Sequence, residues 1–303
     1  MRTERPVCAV GIDWGTTHRR GYALAADGRC VAEHEDADGM LAARGRFPAA
    51  CDALLGALGA GDPAVPVLMS GMVGSAQGWV EAPYLEPQVP LLRLGEHLVD
   101  VPMPARRIRI VPGYCLRRGA QVDVMRGEET QLLGAVALGH ADGWFVLPGT
   151  HSKWAQLRAG AIVDFATFMT GELFALLGRH GTLAAAAGNG DEHHPDAFTR
   201  GLNAEPGAAL SRALFGCRAR VVSGAMPATD ARSYLSGLLI GAEWHDLRRR
   251  CGGRLPAEVT LIGASELAPR YADAAQTFGV MLHQLDPRAV YLAALARLLA
   301  FAR

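Results

Sequence analysis

The chain has 303 residues, half of them hydrophobic, with 30 basic and 30 acidic residues and a formal charge of zero. That length suits two domains of ordinary size, each able to bury its own core. The neutral balance argues against nucleic acid or an anionic membrane as partner, since Arg106-Arg107-Ile108-Arg109 and Arg248-Arg249-Arg250 are short clusters without interleaved aromatics.

Six cysteines (8, 30, 51, 115, 217 and 251) form no Cys-x-x-Cys pair and read as reduced thiols of a cytoplasmic protein. Met1 to Pro6 leads straight into the first strand without a cleavable apolar segment, and no apolar run approaches bilayer length.

The apolar run Val7 to Ile12 ends in Asp13, and Trp14-Gly15-Thr16-Thr17 follows at once. Arg20 to Leu24, an Asp27-Gly28 turn and Arg29 to Ala32 then read as a meander of antiparallel strands. Gly15 lets the backbone come close to a ligand, and the hydroxyls and amides of Thr16 and Thr17 suit phosphate oxygens. Asp13, at the strand end, is placed to hold a hydrated Mg²⁺. A hairpin using Gly and Thr for geometry alone would look the same, so a second copy of the pattern decides the matter.

Phe47 to Leu58 has helical spacing, Val67-Leu68-Met69 is a short buried strand, and Ser70-Gly71-Met72-Val73-Gly74-Ser75 follows it. Residues after a strand in an α/β layout line the crevice where ligands bind. This stretch is therefore either a structural turn or a set of amides for an anion such as a substrate carboxylate. Gln77 to Pro90 reads as an irregular loop carrying aromatics, and Ile108 to Val111 as another strand. Met125 to Ala135 opens a helix whose first turn holds Glu128 and Glu129, complementing the helix dipole. Its small residues Gly134, Ala135, Ala137 and Gly139 predict close packing on a second helix, with Ser236 to Glu243 as the expected partner and a hinge between the halves as the expected result.

The second copy is Trp144-Phe145-Val146-Leu147-Pro148-Gly149-Thr150-His151-Ser152-Lys153. A cation lies four residues beyond the glycine in each copy, Arg19 after Gly15 and Lys153 after Gly149, and strand, turn and strand follow in both. Such duplication predicts two related halves facing each other across a cleft, with two phosphate-contacting hairpins. Leu147 stands where the first copy has Asp13, so no paired-carboxylate metal site is expected. Lys153 is the chain's only lysine. In so arginine-rich a chain it reads as a position wanting a compact ammonium, the alternative being a solvated strand lysine. Thr170-Gly171-Glu172 starts a helix, and 184–195 reads as a mobile loop whose His193-His194 pair lacks a third metal ligand nearby. Val259 to Ile262 leads through Gly263-Ala264-Ser265 into a helix, a turn tight enough for a base or ribose to approach, while the Rossmann and Walker fingerprints are absent. Phe278 to Leu282 is the last expected strand and Arg288 to Phe301 a closing amphipathic helix.

Asp13-Trp14-Gly15-Thr16-Thr17, Gly149-Thr150-His151-Ser152-Lys153 and Ile262-Gly263-Ala264-Ser265 resemble the two phosphate motifs and the adenosine motif of the actin-like, sugar-kinase and chaperone ATPase superfamily. Met69 to Ser75, Gly78-Trp79, Ala82-Pro83-Tyr84, Met125 to Ala135, Pro148 to His151, Thr170 to Leu173 and Ser236 to Glu243 resemble the 2-dehydro-3-deoxygalactonokinase family more closely. The resemblance implies an α/β protein of two ribonuclease-H-like domains with an interdomain nucleotide cleft. The expected division is 1–127, on the substrate side, and 128–303, on the nucleotide side, with the last helix free to pack back on the first domain. It also implies a cytoplasmic kinase that uses Mg²⁺ and ATP to phosphorylate the 6-hydroxyl of 2-dehydro-3-deoxy-D-galactonate in galactonate breakdown. Rival readings are a kinase for another sugar acid and a phosphoanhydride hydrolase, and a homo-oligomer is allowed.

On that reading Asp13 holds Mg²⁺ through water, and Gly15, Thr16, Thr17, Gly149, Thr150 and His151 hold the phosphates. Gly263, Ala264 and Ser265 meet the adenosine, while Lys153 offsets charge on the transferring group. Ser70, Gly71, Met72, Gly74 and Ser75 bind the acid end of the substrate. The carboxylate that takes the hydroxyl proton is Asp13, Glu128 or Glu129, and the glutamates gain from a similar Gly-x-Glu-Glu helix start in related polyphosphatases.

Overall fold

A computed structural model describes residues 6–186, 192–204, 207, 209–263 and 266–302. The chain divides into two compact units. The first takes the chain up to Asp142, Gln156–Phe165 and the segment from Asp286 onward; the second takes Gly143–Ala155 and Ala166–Leu285.

In the first unit, β1 (Ala9–Trp14), β2 (Arg19–Leu24) and β3 (Cys30–Asp36) form the expected antiparallel meander. The β2–β3 turn closes at Gly28, whose φ of 80° suits glycine, while the Asp27 carboxylate accepts the Arg29 amide at 3.1 Å. Next come α1 (Met40–Ala43), α2 (Phe47–Ala57) and β4 (Val67–Gly71). The apolar positions 47, 50, 51, 54 and 55 of α2 fall on one face, and all are buried in a core with Ile12, Trp14 and Met69. Short strands β5 (Tyr84–Leu85), β6 (Val99–Asp100) and β7 (Ile108–Ile110) precede the hairpin β8 (Gly113–Arg118) and β9 (Gln121–Met125) and helix α3 (Glu128–Ala137). The main sheet has the order β3-β2-β1-β4-β7-β6, with β4 parallel to both β1 and β7. The stretch read as an irregular loop holds β5, which joins β8 and β9 in a separate sheet.

The second unit opens with β10 (Gly143–Leu147) and the start of β11 (Ser152–Arg158); the end of β11 and most of β12 (Ala161–Phe168) group with the first unit, and α4 (Thr170–Arg179), α5 (Gly181–Ala186), α6 (Pro195–Leu202), α7 (Leu210–Val222) and α8 (Ala231–Arg250) follow in the second. Then come β13 (Glu258–Ile262), α9 (Ala268–Phe278) and β14 (Met281–Leu285). The sheet order is β12-β11-β10-β13-β14, with β13 parallel to both β10 and β14. Each of the two main sheets thus runs third, second, first, fourth and a later strand, with the first strand leading into a Gly-Thr turn. That shared order is the ribonuclease-H arrangement. It carries the duplication from sequence into topology.

The chain ends in α10 (Pro287–Ala302), which packs on α3 within the first unit. A Cβ placed on Gly134 would lie 1.9 Å from the Val290 carbonyl oxygen, so only glycine permits that approach. This corrects the expected pairing of α3 with α8. The small residues of α8 serve α6 instead: a Cβ on Gly237 would lie 2.0 Å from Phe198 O, and one on Gly241 2.5 Å from Leu202 O. Small residues announce a close neighbour without naming it. Helix α3 groups with the first unit, which runs on to Asp142.

Two shorter corrections concern the second unit. Residues 184–186 of the expected loop end α5, and 187–191 lie outside the described residues. The last strand begins three residues later than expected, because α9 runs on to Phe278 and ends on Gly279 in a left-handed conformation, φ 68°. His193 and His194 face different carboxylates, Asp273 at 3.7 Å and Asp230 at 3.2 Å.

Candidate active site

In the first unit, the turn between β1 and β2 is closed by the Gly15 amide donating to His18 O at 2.9 Å. Its outward carbonyls are occupied by the start of α1: Met40 N donates to Gly15 O and Leu41 N to Thr16 O. Gly39 makes this seat possible, since a Cβ there would lie 2.3 Å from the Thr17 carbonyl carbon. The side chains of Thr16 and Thr17 stay exposed, and the Thr17 hydroxyl pairs with His18 Nδ1 at 3.0 Å. Arg19 is not a free cation beside this turn. It is buried, grips Asp36 through Nε at 2.8 Å and Nη2 at 3.0 Å, and donates to Ala50 O.

Asp13 lies opposite Arg20 on β2 and Ser70 on β4. Burial pushes its carboxyl up to about 6, against the pull of Arg20 and with a further push from Glu128. Gly71 has a φ of 89°, and a Cβ there would meet Trp14 O at 2.8 Å and Asp13 Oδ1 at 3.3 Å. Gly127, φ 109°, comes in from the other side, its own added Cβ 3.3 Å from Gly71 Cα. Two glycines at positive φ, where a Cβ would be strained, therefore bring the end of β1, the end of β4 and the start of α3 to one point.

The two glutamates at that start differ. Glu129 is fully buried; one carboxylate oxygen accepts the Gly127 amide at 2.7 Å and the other the Thr130 hydroxyl at 3.1 Å. Burial, then the neighbouring Glu128 charge, pushes it up to about 8. Glu128 is half-buried, accepts the Arg126 amide at 3.0 Å, and is the charge felt by both Asp13 and Glu129.

Of the residues expected to bind substrate, Ser70 is buried with its hydroxyl 2.9 Å from the Tyr291 hydroxyl on α10. Met72 to Gly74 form a 3₁₀ turn, and Ser75 presents a buried hydroxyl with no partner among the described residues. Tyr291, fully buried and facing the charges of Asp13 and Glu129, was not visible as a neighbour of this point.

In the second unit, the Gly149-Thr150-His151 turn is held by the start of α4. The Glu172 amide donates to Thr150 O at 3.0 Å, and a Cβ on Gly171 would lie 2.5 Å from Gly149 O. The exposed His151 ring reaches the Glu172 carboxylate, Nε2 to Oε2 2.6 Å. Lys153 is only 5% exposed, which removes the solvated-lysine alternative. Strand alternation puts it on the opposite face of β11 from Ser152.

Ser152 belongs to a buried network centred on Glu243 of α8. Trp154 Nε1 donates to that carboxylate at 2.7 Å, Thr170 and Tyr271 donate through their hydroxyls, and Ser152 pairs with Tyr271 at 2.9 Å. Burial pushes Glu243 up to about 7 despite these donors. Ser152, Thr170 and Tyr271 also wall a cavity of about 310 Å³ that runs from Gly149 to Glu266, Leu267 and Arg270. Its far end adjoins the expected adenosine turn. Gly263 of that turn is buried against Pro148, while Ala264 and Ser265 lie outside the described residues.

A family model described as 2-keto-3-deoxy-galactonokinase matches residues 13–298. The 2-dehydro-3-deoxygalactonokinase of Escherichia coli (strain K12) is 39% identical over 274 residues, covering 89% of this chain and 90% of its own. A Rhizobium meliloti (strain 1021) relative assigned the same activity is 38% identical over 284 residues, covering 91% and 92%. A crystal structure from Sinorhizobium meliloti, also assigned as a 2-dehydro-3-deoxygalactonokinase, superposes with a TM-score of 0.88 at 35% identity, covering 96% and 95%.

Proposed function

The chain belongs to the 2-keto-3-deoxy-galactonokinase family, and from that premise we propose how its residues divide the work of one reaction. The enzyme transfers the γ-phosphoryl of ATP to the 6-hydroxyl of 2-dehydro-3-deoxy-D-galactonate in galactonate catabolism. Phosphoryl transfer leaves the protein mainly positioning and electrostatics to supply. Thr16 and Thr17 in the first unit, with Gly15 leaving room for the phosphates to approach, and Gly149, Thr150 and His151 in the second take the phosphate oxygens. The 310 Å³ cavity takes the nucleoside, its polar wall at Ser152, Thr170 and Tyr271 held in place by Glu243. Lys153 offsets the charge that develops on the transferring group.

Among the described residues no cluster of three or more His, Cys, Asp or Glu could hold a metal by itself. Mg²⁺ bound to nucleotide needs only one or two carboxylates, because phosphates and waters fill the rest of its shell. Asp13 fits that requirement: a dication beside it would relieve the crowding of negative charge that Glu128 adds to its burial. Asp13 would hold Mg²⁺ through water, and the ion would supply neutralisation of the phosphate oxygens.

The base is Glu128. A general base must be reachable by the substrate and ionised at working pH. Glu129 meets neither condition, with both oxygens committed to its own helix start and its carboxyl held up to about 8. Glu128 is half-buried at the same point, next in sequence to Gly127, which approaches Gly71, and its charge is felt by Asp13. That convergence is the observation that carries the assignment. The substrate's carbon chain would lie along Ser70 to Ser75, with the 6-hydroxyl toward Glu128. No helix among the described residues is long and apolar enough to cross a membrane. As a kinase of galactonate catabolism the enzyme would work in the cytoplasm, where ATP is supplied.

A coupled ADP assay with galactonate-derived and gluconate-derived keto acids side by side tests the reading. ADP should form with the first, and Glu128→Gln should lower kcat by about 10²–10⁴-fold with little change in the KM for ATP. Phosphate release without sugar acid would favour a hydrolase. Full turnover by the Gln variant would return the base to Asp13.

A further inference from the structure

A buried cation of the first unit has no ion pair among the described residues. Arg126 follows β9 directly and is 8% exposed. Its Nη2 donates to Ala82 O at 2.7 Å, and its guanidinium lies over the Tyr84 ring, 4.3 Å from the centroid. Nε and Nη1 are buried and have no hydrogen-bond partner among the described residues. A guanidinium does not shed its proton in a protein, so this charge is permanent. Burying it with two of its three nitrogens unpartnered and no anion beside it is costly.

The surroundings are arranged for a missing anion. Gly74 lies against the guanidinium: a Cβ there would sit 3.0 Å from Nη1 and 2.7 Å from Ile110 Cγ2, so no side chain larger than hydrogen fits. The next residue, Ser75, carries the second buried hydrogen-bonding group without a partner, its hydroxyl. Two orphan donors thus flank one glycine. Glu129 feels the charge of Arg126, but its oxygens accept from Gly127 N and the Thr130 hydroxyl and make no hydrogen bond to the guanidinium among the described residues. Tyr84, which covers the guanidinium, is itself 38% exposed, so one ring separates the cation from solvent.

We propose that Arg126, together with Ser75, is the receptor for the carboxylate of the sugar acid and sets the enzyme's preference for an acid over a neutral sugar. This rests on the kinase reading above. A 2-keto acid presents carboxylate and keto oxygens in one planar acceptor group, which matches guanidinium donors better than an ammonium would. The Ser75 hydroxyl donates to the same group. Arg126 directly precedes the Gly127-Glu128 start of α3, so one short segment carries both the acid-binding and the proton-accepting group.

The test compares two substrates on the full-length enzyme: the galactonate-derived keto acid and its neutral C1 amide. The wild type should favour the acid by at least about 100-fold in kcat/KM, of the order expected when a buried charge loses its partner. In Arg126→Gln, kcat/KM for the acid should fall about 100-fold or more. Activity on the amide and the KM for ATP should stay within about threefold, so that the acid preference collapses. Equal losses on acid and amide, no loss on the acid, or a wild type indifferent to the charge would each overturn the proposal. If Arg126→Gln does not give a cooperative melting curve, Ser75→Ala decides. It should raise the KM for the acid about tenfold at unchanged kcat and that for the amide by less, and an unchanged KM for the acid or a matching loss on both substrates overturns the proposal. A wild type that phosphorylates neither compound would instead bring down the kinase reading, a result distinct from all of these.

Discussion

Replacing Glu129 by Gln separates the two adjacent glutamates by opposite outcomes. Glu129 is fully buried, and its carboxyl stands at about 8 instead of 4.5. A carboxyl raised in this way binds its proton more tightly in the folded than in the unfolded chain. Its contribution to stability is therefore intact below pH 4.5, falls as pH rises, and is fully lost above about pH 8. At pH 7 the loss is about 3 kcal/mol and above pH 8 about 5 kcal/mol. Gln removes this penalty. It still accepts the Gly127 amide but presents an NH₂ where the Thr130 hydroxyl donates, at a cost of about 1 kcal/mol. Urea unfolding followed by tryptophan fluorescence should thus find the variant equal to wild type near pH 5, more stable by about 2 kcal/mol at pH 7, and by about 4 kcal/mol at pH 8.5. Turnover should stay within about threefold of wild type, since a cap and not a base has been changed. A variant destabilised at pH 8.5, or one folded but slowed more than about 100-fold, would refute the reasoning and move the base to Glu129.

Lys153→Met should lower kcat by about 10²–10³-fold while both KM values change little, because the ammonium acts on charge that appears only as the phosphoryl group moves. Unchanged turnover in steady-state assays would remove Lys153 from the reaction. Gly171→Ala puts a methyl 2.5 Å from Gly149 O and 2.9 Å from Thr150 Cα. Overpacking of that kind costs about 1–3 kcal/mol and displaces α4 from the turn. The KM for ATP should rise at least about tenfold, and an unaltered value would show that the turn does not carry the nucleotide.

How much of this site could be read from the sequence depended on how local its chemistry is. The Asp13 to Thr17 and Gly149 to Lys153 turns were legible, because a strand, a glycine and hydroxyls in a row define such a turn within ten residues. The duplicated strand order followed from them. Gly71 and Gly127 gave a weaker signal: their left-handed backbones are local, but that they meet beside Asp13 is a product of packing. Tyr291 and Tyr271 were not legible, since each reaches its serine across a long stretch of chain, from Ser70 and Ser152 respectively. Glu243 looked like one more polar residue of a helix, yet it collects the hydrogen bonds of Trp154, Thr170 and Tyr271. The small residues of α3 predicted intimacy and were assigned the wrong helix, because glycine spacing specifies a distance and not an identity. Tyr84 and Leu85 are too few to display a period of two, so β5 was hidden in what read as loop.

Phosphorus NMR of the product formed from ATP and the galactonate-derived keto acid bears most directly on the central claim. The account predicts one new phosphomonoester resonance coupled to the two protons on carbon 6, growing in step with ADP. Inorganic phosphate appearing in its place, or an ester on any other hydroxyl, would contradict it.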